Sequence, residues 1–222
     1  MKLMIMLAAL CLTACCNNAV QKKSETTKTQ INFTEEINLV KPDVVAGLTV
    51  NEALQLRRSW REYGNEPLTL EEISGVIWAA AGINRPDGHK TAPSALGLYP
   101  IKVYAFFADG VYLYDEKEHK LVRVLEGDYR AESGAQPFVA TAQMNLVYIA
   151  DKSVYDGKQM PQDAIRYSCG LDAAGAAENV NIYTAGHGLR AITRGSFSPT
   201  ILKTLNLDEN RYFCALAQSV GK

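Results

Sequence analysis

The spacing of apolar residues predicts two helices early in the chain. Residues 48–63, LTVNEALQLRRSWREY, and residues 68–82 repeat apolar side chains at intervals of three and four, as a helix with one buried face requires. In the first segment Asn51 is the expected N-cap. In the second, Thr69 stands three residues before Glu72, which is the spacing of a capping box. The folded part of the chain is therefore expected to begin with a helical pair.

Residues 84–100, NRPDGHKTAPSALGLYP, separate these helices from a region of different periodicity. A loop of this length inside a compact domain is usually functional or disordered. Beyond it, apolar residues alternate with other residues, and this period of two predicts a β-meander. Its strands are expected at 101–107, 110–115 and 120–126. The nearly continuous apolar run 144–151, MNLVYIAD, is typical of a central strand buried on both faces.

The last quarter of the chain returns to helical spacing and then to strands. Residues 170–187, GLDAAGAAENVNIYTAGH, predict a helix with an alanine-rich face, ended by Gly186 and Gly188 as left-handed caps. The remaining elements are a strand at 190–197, a short helix at 198–205 and a last strand at 211–220. Helices flanking a mixed sheet predict an α+β fold.

The N-terminal residues MKLMIMLAALCLTACC form a region of their own. Lys2 precedes an apolar run too short to span a bilayer, which is the pattern of a secretory signal. The letters LTAC, ending at Cys15, match a bacterial lipobox, whose cysteine receives a lipid; the alternative is a plain signal peptide. We expect a signal peptide at 1–14, a polar tether at 15–31 and one domain at 32–222, anchored by lipid in the cell envelope of a bacterium.

Charge and cysteine content exclude several classes of partner. The net charge is −1 and no basic block is present, so nucleic acid is not an expected partner. A metal site is not expected either, because His89, His119 and His187 are far apart in the sequence. Cys169 and Cys214 are the two cysteines of the domain, and a single disulfide between them is possible although neither lies in a cysteine framework.

The segment RRSWREY carries chemistry suited to an anion. If it is helical, Arg57, Arg58 and Arg61 lie within reach of one side, with the hydroxyl of Ser59 beside them. Guanidinium groups and a hydroxyl suit a phosphate dianion, because charge-assisted hydrogen bonds are strong. The alternative is a solvated helix end on which Glu62 neutralises one arginine.

Two further segments suit the approach of a planar ligand. TAPSALGLYPIKVY has an irregular, small-residue backbone before a strand, although a plain connecting loop reads the same way. TRGSF contains a glycine that lets backbone N–H groups face a ligand, a weak signal taken alone. The chain has no GxSxG, Walker A or HExxH motif, so its chemistry either belongs to a bound cofactor or does not exist.

Taken in order, RRSWREY, PLTLEEISGVIWAAAGINR, TAPSALGLYPIKVY and GVYLYDEKEHKLVRV resemble the nitroreductase family. Within it they are most similar to the SagB-like azoline dehydrogenases. The resemblance continues through QPFVATAQMNLVYIAD and GLDAAGAAENVNIYTAGHGL to the closing strand, so it covers essentially the whole domain. It implies a nitroreductase-like fold, with a central, mostly antiparallel sheet flanked by helices, and FMN held at the interface of an intertwined homodimer.

The resemblance also implies roles for the first motif and the loop that follows. Arg57, Arg58 and Ser59 match the positions that hold the FMN phosphate and ribityl chain, and Arg61 matches a basic position near the flavin N1/O2 edge. A cation at that edge stabilises negative charge on the reduced flavin.

The loop that runs along the flavin ring matches Pro93, Ser94 and Ala95. Gly97 is included in the expected site, although many relatives have an asparagine there that contacts the flavin.

The N5/O4 side of the flavin matches Arg194 and Gly195, with the Gly195 N–H as donor to N5, and Gln136 matches a polar position that contacts the ring. Glu178 stands where a glutamine is usual. The chain also ends at Lys222 without the basic segment that often completes the phosphate site, so phosphate binding is expected to depend on RRSWREY.

The activity that the resemblance implies is hydride transfer through flavin N5. A donor such as NAD(P)H reduces the flavin, and a small organic acceptor then takes the hydride, without a catalytic acid or base from the protein. The alternative is a surface-anchored dimer that keeps the fold as a non-catalytic binding protein, favoured by Gly97. Azoline dehydrogenation in peptide maturation is a third possibility, but the signal sequence argues against it.

Overall fold

The structure is a computed structural model that describes residues 29–222. The predicted signal peptide, Cys15 and most of the predicted tether lie outside the described residues. The helices are α1 (Val50–Leu56), α2 (Leu70–Ala81), α3 (Gln162–Gly186) and α4 (Ile201–Thr204). The strands are β1 (Glu36–Asn38), β2 (Ile101–Phe106), β3 (Gly110–Asp115), β4 (Lys120–Glu126), β5 (Met144–Asp151), β6 (Arg190–Arg194) and β7 (Tyr212–Gly221).

The seven strands form one sheet in the order β1-β4-β3-β2-β5-β7-β6, and all six pairings between neighbours are antiparallel. The predicted meander is confirmed as β2, β3 and β4. All eight residues of β5 are buried, as predicted, because the sheet is covered on both faces. The predicted α+β class is confirmed. The short strand β1 was not predicted, because three residues are too few to display a period of two.

The N-terminal ends of the first two helices are both closed by capping boxes. At α2 the predicted pair is confirmed, since Thr69 N–H donates to the Glu72 carboxylate at 2.7 Å. At α1 the cap is Thr49, not Asn51, because Thr49 Oγ1 accepts from Glu52 N–H at 3.4 Å while Thr49 N–H donates to the Glu52 carboxylate at 2.9 Å. The predicted helix 48–63 was too long, since α1 ends seven residues earlier.

Helix α3 begins at Gln162, eight residues before the predicted start. Its first turns bury Ile165 and Cys169, four residues apart, but the polar residues around them hide this stripe in the sequence. The predicted left-handed cap at Gly186 was wrong because that residue is still helical, whereas Gly188 has φ +71° as expected.

Two hydrophobic cores lie on the two faces of the sheet. The larger packs α2 and α3 against residues such as Tyr148, and the smaller packs α4 against Val147 and Ile149. Cys169 belongs to the larger core, whereas Cys214 packs against the smaller one. Both thiols are free, because the sheet separates them. None of the helices within residues 29–222 has the length and apolar composition needed to cross a bilayer.

Candidate functional site

The segment RRSWREY lies in an extended conformation, not on a helix as predicted. Helix α1 ends before Arg57, whose backbone N–H donates to Ala53 O at 2.8 Å. Ser59 then pairs in parallel with Ala191 of β6, and Trp60 N–H donates to Ala191 O at 3.1 Å. A distant strand therefore decides the local backbone, which is why helical spacing within the segment was misleading.

The extended conformation sorts the side chains of this segment onto two faces. Successive side chains of an extended chain alternate in direction, and Arg58 lies 5.0 Å from the ring centre of Trp60, two residues on. This alternation predicts that Arg57, Ser59 and Arg61 share the opposite face. Two guanidinium groups and one hydroxyl on this face are hydrogen-bond donors suited to the acceptor oxygens of a phosphate.

The three arginines are exposed and largely free of carboxylate partners. Arg57 Nε lies 3.8 Å from Glu178 Oε1, and these side chains are 40% and 51% exposed. Arg58 and Arg61 form no ion pair with a carboxylate anywhere in residues 29–222, and Glu62 neutralises none of the three. The positive charge of this face is thus available to an anion.

The loop that contains Ser94 and Ala95 is anchored by a carboxylate that the sequence analysis missed. Ser94 Oγ donates to Asp172 Oδ2 at 2.6 Å, and Ala95 N–H donates to Asp172 Oδ1 at 3.0 Å. Tyr99 N–H donates in turn to Ser94 Oγ at 2.8 Å. Asp172 is buried on α3, and it is the one charged residue in the run GLDAAGAA, a signal that could have identified it.

The rest of this loop packs closely on α3 and then turns sharply. A Cβ added to Gly175 would lie 3.7 Å from Pro93 Cδ, so the proline is in contact with the helix. Leu96 and Gly97 have φ values of 57° and 65°. Because asparagine is also enriched in this left-handed region, glycine and the asparagine that the resemblance leads us to expect at position 97 need the same backbone, but glycine offers no side chain to a ligand.

The end of β6 forms a corner that brings two predicted residues together. Gly195 is exposed, and no heavy atom lies within 4 Å of the position that its Cβ would occupy. Ser196 Oγ donates to Gln136 Oε1 at 2.8 Å, which places Gln136 beside this corner. The two residues come from segments far apart in the sequence, yet the structure joins them.

Arg194, which precedes Gly195, points its side chain into the protein. It is 4% exposed. Its Nη1 donates to Ser133 O at 2.8 Å and to Ser196 O at 3.1 Å, and its Nη2 reaches Asn145 Oδ1 at 3.4 Å. Burial lowers the pKa of Arg194 to about 10, so the group remains charged at neutral pH. Only the backbone of Arg194 is available to a ligand.

All of these segments contact α3 between Asp172 and Asn181, a stretch about 14 Å long at 1.5 Å per residue. Asn181 Nδ2 donates to Glu178 Oε2 at 2.8 Å and to Thr193 Oγ1 of β6 at 3.1 Å. Glu178 in turn faces Arg57. One helix therefore connects the arginine face, the loop after α2 and the corner at the end of β6.

A metal centre is not formed by the described part of the chain. Within residues 29–222 no three His, Cys, Asp or Glu side chains lie close enough together to hold a metal ion. Beside the carboxylates of Asp172 and Glu178, the site contains guanidinium groups, hydroxyls and backbone N–H groups, which can donate hydrogen bonds to an anionic or heterocyclic ligand.

Comparisons with known proteins relate this chain to one family. The sequence model described as "Nitroreductase family" matches residues 54–222. A nitroreductase-type protein of Methanocaldococcus jannaschii is 33% identical over 178 residues, which cover 74% of this chain and 85% of that protein. The crystal structure of a nitroreductase-type protein from Ralstonia eutropha superposes with a TM-score of 0.79 at 33% identity, covering 88% of this chain and 93% of that one.

A more distant structure, the FMN complex of a nitroreductase-type protein from Desulfovibrio desulfuricans, has a TM-score of 0.56 at 21% identity. It covers 78% of this chain and 84% of that chain. At this identity the likeness concerns the fold alone.

Proposed function

This chain belongs to the nitroreductase family, and we propose that it is an FMN-dependent oxidoreductase that transfers a hydride to or from a small organic substrate. The observation that carries the proposal is the meeting on α3 of an arginine face with a single nearby carboxylate, a loop of small residues anchored by Asp172, and an open glycine corner. An anionic group at one end and a flat ring at the other are the features of FMN that match them.

The residues present fit FMN at both ends. Arg57, Ser59 and Arg61 offer several donors and little competing negative charge, as a phosphate dianion requires. At the other end, the empty space around Gly195 lets a planar ring approach the backbone closely. The FMN complex of the Desulfovibrio desulfuricans protein, which has the same fold, gives further support.

In this proposal FMN supplies the hydride chemistry when bound, and the protein binds and orients it. Arg57 and Ser59 would hold the phosphate end of the cofactor, and Arg61 would lie at its N1/O2 edge. Asp172 holds the ring-side loop in place through its two hydrogen bonds. The N–H of Gly195 would be the donor at the N5 side of the ring. No side chain is assigned as a general acid or base.

The proposed electron donor is NAD(P)H or, for a protein anchored outside the cytoplasm where NAD(P)H is scarce, a periplasmic or membrane reductant. The substrate is a small organic molecule. The ordered motifs further support membership of the SagB-like subgroup as part of the proposal.

A homodimer is part of the proposal as well. Several large apolar side chains of the segment 44–56 are exposed, including Val45 at 88% and Val50 at 63%. An exposed apolar patch of this kind marks an interaction surface, and a second copy of the chain would cover it. Light scattering on purified protein should give twice the mass of one chain; a monomeric mass would refute this part.

Lipid attachment at Cys15 would place the protein on a membrane of the bacterial cell envelope. Mass spectrometry of the mature protein should detect a diacylglycerol-modified N-terminal cysteine. Mature protein that is soluble and carries no lipid would refute the anchor without affecting the proposal for the domain.

The decisive experiment for the activity is spectroscopy of the purified full-length protein. We expect yellow protein with about one FMN per chain, a flavin band that bleaches on addition of NADH or NADPH, and recovery when an acceptor is added. Colourless protein that takes up no added FMN would refute the enzyme and support a non-catalytic binding protein. Flavin that binds but is not bleached by either nucleotide would refute only the donor.

A further inference from the structure

The buried charge of Arg194 has no counterion in the described part of the protein. Its guanidinium donates to carbonyl oxygens, and it forms no ion pair with any carboxylate of residues 29–222. Two titratable groups lie near it, Tyr63 and Cys214, and burial raises the pKa of each to about 12. Both are therefore neutral at neutral pH, and neither compensates the positive charge.

The surrounding structure is shaped to admit this guanidinium. A Cβ on Gly134 would lie 2.0 Å from Arg194 Nη1, so any other residue there would collide with it. Asn145, which is completely buried, directs its Oδ1 toward Arg194 Nη2 and accepts a second bond from Ser219 Oγ at 2.5 Å. The Nε atom is buried without any partner. The surrounding residues therefore accommodate the guanidinium, but they do not satisfy all of its hydrogen-bond donors.

Stability alone does not account for such a group. Burial of a charge without a counterion is costly, and replacement of buried charged groups by neutral ones is often neutral or stabilising. Removal of Arg194 would leave Ser133 O and Ser196 O without this donor, but it would also remove the desolvated charge. These two effects oppose one another, so stability does not explain why the charge is buried beside the site.

We propose that Arg194 is a positioning residue whose buried, uncompensated charge increases the tendency of a flavin beside Gly195 to take up a hydride. This inference rests on the proposed function. A hydride brings two electrons and one proton to a neutral flavin, so the ring system gains one negative charge. A positive charge in a poorly solvated environment, one residue from the corner, stabilises that product and is little screened by salt. Because its side chain is buried, Arg194 acts without touching the ring.

The test separates the charge of Arg194 from its hydrogen bonds by two substitutions. Arg194→Gln keeps a hydrogen-bond donor and loses the charge, whereas Arg194→Lys keeps the charge and loses the fork of donors. The midpoint potential of the bound FMN is measured by spectroelectrochemistry at pH 6, where a desolvated lysine retains more of its charge. Arg166→Gln is the matched control, since Arg166 lies over Phe213 on an exposed part of α3.

We expect Arg194→Gln to lower the potential by about 30–60 mV, which is a 10- to 100-fold change in the equilibrium for two electrons. Arg194→Lys and Arg166→Gln should stay within about 15 mV of the wild type, a less than fourfold change on the same scale. The charge has no such role if the Gln variant keeps the wild-type potential. The same conclusion follows if the potential of the Gln variant lies closer to the wild type than that of the Lys variant.

The remaining outcomes are also decisive. A Gln variant that does not fold would assign Arg194 to stability and overturn the inference. Wild-type protein that binds no FMN would refute the proposed function, and this inference with it. Wild-type protein with normal flavin content, together with an unshifted Gln variant, would refute the inference alone.

Discussion

Arginine occurs in two contrasting environments in this site. Arg57, Arg58 and Arg61 lie on an exposed extended segment where only one of them is near a carboxylate. Arg194 lies at the end of β6, almost completely buried, with its guanidinium bonded to carbonyl oxygens. The first group can move toward a ligand and bond it directly. The second cannot reach a ligand, so it can act only through its charge and the backbone that it holds.

The comparison shows that exposure decides what an arginine can contribute. In water-accessible positions a guanidinium has little desolvation penalty, and it forms strong charge-assisted hydrogen bonds with a phosphate. In the interior the same group carries a large desolvation penalty, which favourable interactions of its charge must offset. Four substitutions and three matched controls test this distinction. FMN affinity is measured by fluorescence quenching on protein freed of cofactor, and stability is measured as the free energy of unfolding.

The largest effect is expected at the exposed face. Arg57→Ala removes a guanidinium from the same face as Ser59 and Arg61, and we expect FMN to bind about 10- to 100-fold more weakly, as loss of a charge-assisted hydrogen bond predicts. Arg58→Ala is the matched comparison, because Arg58 lies on the other face with Trp60 and should cost less. Equal losses for both variants would show that the two faces are not distinct.

A smaller effect is expected at the anchor of the ring-side loop. Asp172→Asn replaces the carboxylate that accepts hydrogen bonds from Ser94 and Ala95 by a neutral amide. The free energy of unfolding, measured by urea titration, should therefore fall by about 1–3 kcal/mol. FMN should also bind several-fold more weakly because the loop loosens. Asp163→Asn, an exposed position in the first turn of α3, is the control and should change neither quantity appreciably. An unchanged stability for Asp172→Asn would contradict the anchoring role.

A gain in affinity is expected at Glu178. Its carboxylate accepts a hydrogen bond from Asn181 and faces Arg57. It therefore competes with a phosphate for that arginine and repels the negative charge of the phosphate. Exposed ion pairs contribute at most about 1 kcal/mol, so Glu178→Gln should tighten FMN binding only about three- to fivefold. Glu62→Gln is the control, because Glu62 pairs with none of the arginines. Weaker binding by Glu178→Gln would mean that the carboxylate instead orients Arg57.

No effect on FMN is expected where an arginine is already paired. Arg211 bonds Asp151 through two nitrogen atoms, at 2.9 and 2.6 Å. Burial of Asp151 works to raise its pKa, but the hydrogen bonds from Arg211 and Ser153 outweigh it and lower the pKa from 3.8 to about 2. Because the folded pKa is depressed, the stabilisation is complete above about pH 4 and is lost as the pH falls toward 2.

Asp151→Asn should therefore lower the free energy of unfolding at pH 7 by about 1–2 kcal/mol, with the difference from wild type shrinking between pH 4 and 2. Urea titrations across this range measure it. A change in FMN affinity would show that this pair, at the opposite end of β5 from Asn145, communicates with the site.

Much of the architecture followed from local patterns. The meander, the buried strand β5 and the capping box at Thr69 depend on residues close in sequence, and all were predicted from periodicity and spacing. The predicted site residues were found through a resemblance to the nitroreductase family, and their roles as FMN contacts remain predictions. Helix α3 was predicted too short, because its first buried stripe is masked by polar neighbours.

By itself the sequence determined the family and the order of most of the elements, because motifs and near-neighbour periodicity are written along the chain. Only the tertiary structure decided that RRSWREY is extended, since its partner Ala191 lies on a strand far away in sequence. It also decided that Asp172 anchors the loop and that Arg194 is buried without a counterion among residues 29–222. Contacts between distant segments determine such properties, and a linear pattern does not encode which segments will meet.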